Sequence, residues 1–124
     1  GGMWNSIELA GMGVEATFLI KAAMATLTMV SGRHLFALTS PVTRRMQAPL
    51  GFLTEEGIGN DGYFTYPTPK LRATIARYTF PEQLEIANPE VKEMLEGIWQ
   101  DPEGMVHRVQ GPKGELKLQF KIEV

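Results

Sequence analysis

Hydrophobic and polar residues alternate without a break from Glu115 to Val124. Leu116, Leu118, Phe120, Ile122 and Val124 take one face, and Glu115, Lys117, Gln119, Lys121 and Glu123 the other. A period of two is that of a half-buried strand. The turn residues Gly111-Pro112-Lys113-Gly114 ahead of it predict an antiparallel hairpin with the segment from Met105 to Gln110. A period of 3.6 governs the preceding segment, about 89–99, where Val91, Met94, Leu95, Ile98 and Trp99 form one stripe and Glu90, Lys92, Glu93 and Glu96 the wet face. Asn88-Pro89-Glu90 supplies a cap, a proline at the first helical position and an acid in the first turn, and Asp101-Pro102-Glu103-Gly104 ends the helix.

Ile7 to Val30 shows neither period cleanly. Its only charges are Glu8, Glu15 and Lys21. On a helix, Glu8 and Glu15 share one line while Thr17, Lys21 and Thr28 lie almost opposite, so both flanks are apolar. A helix apolar on both flanks needs cover on both, which in so short a chain points to a second copy as one of the covers. The residues expected at that interface are Phe18, Met24, Leu27 and Met29. The stretch has the roughly 20-residue length of a membrane span. Charges near its middle would cost about 2.5 to 3.5 kcal/mol each on insertion, so a buried helix is the better reading.

Between these elements the pattern is patchier. Ser31-Gly32 reads as a turn and Leu35 to Leu38 as a short buried strand; Thr26 to Val30, if extended, would pair with it across that turn. Ser40-Pro41 opens a short helix with Val42 and Met46 inward and Arg44 and Arg45 in water, stopped by Pro49. Residues 50–70 are irregular, with a turn at Asn60-Asp61-Gly62 between Phe52 and Tyr63. Lys70 to Phe80 fits a helix or a strand, and its β-branched and aromatic content favours the strand. The sum is an α+β domain spanning 1–124: an apolar N-terminal helix and a second amphipathic helix packed on a mainly antiparallel sheet that ends in a C-terminal hairpin.

Composition narrows the chemistry. The chain has 124 residues and no cysteine, which excludes disulfides and thiolate metal sites. Its net charge of -2 hides a division: residues 33–80 carry +3 and residues 81–103 carry -6. Opposite blocks favour contacts between copies or between segments of one copy. Gly1-Gly2 ahead of Met3 reads as an added remnant, and no basic leader precedes the apolar stretch, so the cytoplasm is the default location.

Two glycine motifs occur. Gly11-Met12-Gly13-Val14-Glu15-Ala16 matches a dinucleotide-binding fingerprint, with Arg33 where a 2′-phosphate could be met, but no repeated βαβ units follow. Gly57-Ile58-Gly59-Asn60-Asp61-Gly62 has the same form with prolines close behind, which excludes the helix it would need. His34 and His107 are the candidate acid–base residues by type, but sequence supplies neither a partner for acid–base work nor metal-ligand spacing. Arg33, His34 and His107 are the expected ligand-binding residues if a pocket lies between helix and sheet. No catalytic residue, metal or cofactor is assigned. Aromatics and cations from Tyr63 to Phe80 suggest a single-stranded nucleic-acid surface, a weak third reading in a slightly acidic chain. The leading expectation is a non-catalytic protein that self-associates; a small-molecule site comes second.

Overall fold

The computed structural model describes residues 16 to 124. Its elements run α1 (Ala16–Met29), β1 (His34–Thr39), α2 (Pro41–Gln47), a 3₁₀ turn (Ala48–Leu50), β2 (Leu53–Thr54), β3 (Phe64–Thr65), β4 (Arg72–Thr79), α3 (Pro89–Gln100), β5 (Val106–Gly111) and β6 (Gly114–Gln119). This is the α+β arrangement expected, with helices packed on antiparallel sheets and a hairpin at the C-terminal end. The expected helix before residue 16 and the first glycine motif lie outside the described residues.

Residues 26–29 are helical, which removes the strand alternative for that segment. Two threonine hydroxyls are satisfied within the helix itself: Thr26 Oγ1 donates to the Ala22 carbonyl at 2.8 Å and Thr28 Oγ1 to that of Ala25 at 3.1 Å. The helix stops where Ser31 enters the left-handed region (φ 58°) and the Gly32 amide donates to the Leu27 carbonyl at 2.8 Å. No helix among the described residues is long and apolar enough to cross a membrane.

β4 is the strand on which the sheet is built. It pairs antiparallel with β1 over six residue pairs, from His34↔Thr79 to Thr39↔Thr74, with β2 at Leu53↔Arg77, and with β3 at Phe64↔Ala73. Side chains alternate across it: Thr74, Ala76 and Tyr78 face the core, fully buried, while Ile75 and Arg77 face the other way. Against the core face pack Ile20, Met24 and Leu27 of α1 and Val91, Met94, Leu95 and Ile98 of α3, the stripe expected for that helix. Pro89 opens α3, but the Asn88 side chain makes no capping bond; the Val91 amide is held by the Asn88 carbonyl instead.

The hairpin does not extend the main sheet. β5 and β6 form a two-stranded ladder of their own. The strand expected to reach Val124 ends at Gln119, though Phe120 N–H still bonds to Met105 O and Ile122 N–H to Pro102 O. Phe120 is buried as expected, whereas Val124 is exposed.

α2 starts as read, with Ser40 Oγ accepting from the Thr43 amide, but its faces are turned round. Val42 and Met46 are exposed, Gln47 is the buried residue, and Arg44 turns inward, donating through Nε to Thr54 Oγ1 and through Nη2 to Phe52 O, both at 2.8 Å. The acceptors brought up by the returning chain, a carbonyl and a hydroxyl, decide which side of this short helix faces in.

Candidate functional site

β1 was read as a buried strand. The structure buries one of its faces only. Leu35, Ala37 and Thr39 sit opposite Tyr78, Ala76 and Thr74 on the core side. Phe36 and Leu38 point to the other side, 58% and 51% exposed. Leu53 on β2 faces the same way at 44% exposure, across Arg77 from Phe36. Open faces of antiparallel sheets are ordinarily polar, so three large apolar side chains in this position stand out as a patch.

The patch has an ordered polar frame. Arg77 lies between Phe36 and Leu53, pairs with Glu55 through Nε, and donates from Nη1 to Thr79 Oγ1 at 2.7 Å. His34 lies at one end, its Nδ1 3.0 Å from Thr79 Oγ1 and its ring 6.1 Å from that of Phe36. Arg33 is exposed and paired with Glu82 at 2.5 Å. Two of the three expected ligand residues therefore lie beside this face.

His107, the third, lies elsewhere. It lines a groove of about 600 Å³ between the start of α1, α3 and β5, together with the apolar Phe18, Met94 and Met105 and the charged Lys21, Glu90, Glu93 and Glu96. Its ring is 5.5 Å from that of Phe18, over which Lys21 Nζ also sits at 5.1 Å. Neither His34 nor Arg33 reaches this groove, so the three residues do not form one site. Among the described residues neither histidine is hydrogen-bonded to a carboxylate, and no group of three His, Cys, Asp or Glu could hold a metal.

The four expected interface residues divide. Met24 and Leu27 are 0% and 8% exposed, sealed within the chain's own core. Phe18 and Met29 are half-buried, Phe18 as part of the groove wall. The nucleic-acid segment is dispersed in the same way. Tyr78 is inside the core, Phe80 packs edge-on to Trp99 at 5.8 Å, and the Arg72 guanidinium covers the Tyr63 ring at 4.3 Å. Tyr78 is thereby withdrawn from any stacking surface, while Tyr66, Lys70 and Arg72 stay exposed.

Sequence reasoning missed the Phe36, Leu38 and Leu53 patch. The signal was the unbroken run Leu35-Phe36-Ala37-Leu38: four consecutive apolar residues on a strand need cover on both sides, and among the described residues only one side has it. The chain matches no family model, and no curated protein or solved structure is significantly similar to it.

Proposed function

We propose that this chain is a non-catalytic assembly module that self-associates by way of the sheet surface bearing Phe36, Leu38 and Leu53. The observation that carries the reading is their exposure, 58%, 51% and 44%, on one face of an ordered sheet. Exposed aromatic and aliphatic anchors framed by a satisfied ion pair have the make-up of an interface centre, where apolar residues bind and polar neighbours form the rim. The surface expected for self-association shifts accordingly from α1, whose Met24 and Leu27 the chain buries itself, to the sheet. The blocks of opposite charge along the chain are compatible with contact between copies.

Sedimentation velocity over a concentration series tests this. The native protein gains mass as concentration rises, and the double variant Phe36→Thr, Leu38→Thr stays monomeric with an unchanged circular dichroism spectrum. A native protein that remains a monomer throughout ends the proposal.

A second reading, a small ligand in the groove beside His107, draws on the groove's volume of about 600 Å³, within the range of small-molecule pockets. Three carboxylates in its lining, against the single Lys21, favour an organic cation. Thermal shift with small aromatic amines tests it, with stabilisation that disappears in His107→Ala as the supporting result.

A further inference from the structure

Resting on the assembly reading above, we infer that the second copy docks along the free edge of β1, joining the two sheets into one antiparallel sheet across a two-fold axis. β1 is hydrogen-bonded to β4 alone, and its other edge has no strand beside it among the described residues. Half of the backbone N–H and C=O groups of a terminal strand point along its outer edge, a ready template for another strand.

Single-copy proteins blunt such edges with lysine, proline, a bulge or extreme shortness. β1 has none of these. It is six residues long, reads HLFALT with no formal charge and no proline, and keeps unbroken register with β4. The opposite side of the sheet is guarded: β2 is two residues long and runs straight into Glu55 and Glu56.

Charge, symmetry and area select a second copy as the occupant. An uncharged strand laid against itself brings no like charges opposite each other, and the nearby Arg77–Glu55 and Arg33–Glu82 pairs are already satisfied within each copy. In an antiparallel two-fold pairing centred on Phe36, even-numbered residues face even-numbered ones and Phe36 lies directly opposite its counterpart in the second copy. Phe36 and Leu38 of both copies then share one face, and the apolar patch doubles in place. Contact through the face alone is small: three partly exposed side chains offer roughly 100 Å² each, well below the ~800 Å² per partner of a standard interface. Edge pairing adds the backbone of β1 and brings up α2, which packs against β1 with Val42 and Met46 exposed.

The absence of cysteine makes single-cysteine variants clean reporters. Phe36→Cys and Leu53→Cys are oxidised at low and high protein concentration, and hydrogen exchange of the β1 amides is followed in the unmodified protein over the same range. Edge pairing predicts a disulfide-linked dimer for Phe36→Cys and little for Leu53→Cys, two strands away, since directly opposed β residues approach closely enough for a disulfide. It also predicts that outward-pointing β1 amides exchange about tenfold more slowly once the dimer forms. Association with Leu53→Cys cross-linked and β1 exchange unchanged overturns edge pairing and leaves the assembly reading standing. No association at any concentration removes both.

Discussion

The indole N–H of Trp99 donates to the backbone carbonyl of Ala25 across 3.1 Å, tying the end of α3 to α1. The carbonyl also receives the Thr28 hydroxyl at 3.1 Å, so one helical oxygen serves a side chain of its own helix and one of the neighbouring helix. Trp99→Phe keeps most of the ring packing and deletes the donor. A net hydrogen bond is worth about 1 kcal/mol, and the smaller ring loses contact with Phe80, so the variant should unfold about 1 to 2 kcal/mol more easily in urea.

Tyr78 is fully buried, and its hydroxyl has no hydrogen-bond partner among the described residues. An unsatisfied buried hydroxyl contributes little or costs free energy. Tyr78→Phe should therefore be neutral near pH 8, or stabilising by up to about 1 kcal/mol.

Burial also pushes the Tyr78 pKa up from 10.0 to about 12. The folded state holds this proton more tightly than the unfolded one, so the contribution is complete below pH 10 and is lost as pH rises from 10 to about 12. The total loss is on the order of 2 to 3 kcal/mol at 1.36 kcal/mol per unit. Denaturant titrations of the native protein and Tyr78→Phe across this range should diverge by that amount, with the phenylalanine variant the more stable under alkali.

Gly51 ends the turn after α2 with φ 93°, and a Cβ there would lie 2.2 Å from the Gln83 carbonyl oxygen. Backbone strain and a backbone clash act together, and neither can be relieved by a side-chain rotation. Gly51→Ala should destabilise by about 2 to 4 kcal/mol, several times the effect of Gly57→Ala, where the added carbon meets nothing within 4 Å. Thermal melts of the two variants make the comparison.

Phe36 and Leu38 test a different distinction. If their surface serves partners and not folding, Phe36→Thr and Leu38→Thr should each shift stability by no more than about 0.5 kcal/mol, because threonine suits a strand and little burial is lost. Equilibrium unfolding at the lowest workable concentration measures this apart from any association.

The legible parts of this chain are those governed by one period. Val91 to Trp99 and Leu116 to Phe120 announced a helix and a strand because a single covered face decides their pattern. Lys70 to Phe80 was legible from residue type, β-branched and aromatic side chains outweighing an ambiguous period. Arg44 was not, because its inward turn depends on Phe52 O and Thr54 Oγ1, acceptors placed by a later loop. His34 and His107 both lie on strands, but periodicity says nothing about which strands share a sheet, and these two do not. The patch on β1 escaped for a related reason: alternation reports which side chains share a face, while the number of layers available to cover that face is a property of the whole chain.

β4 is the common neighbour of β1, β2 and β3, and it comes last among them in the chain. During synthesis the chain emerges from its N-terminus, so β1 leaves the ribosome well before the strand that will receive its hydrogen bonds. Throughout that interval the strand lacks the ladder that β4 will supply. The nascent polypeptide thus carries a sticky ribbon that only a distant, later segment can quench, and crowding of many such chains on one message is the circumstance in which neighbours would compete for it.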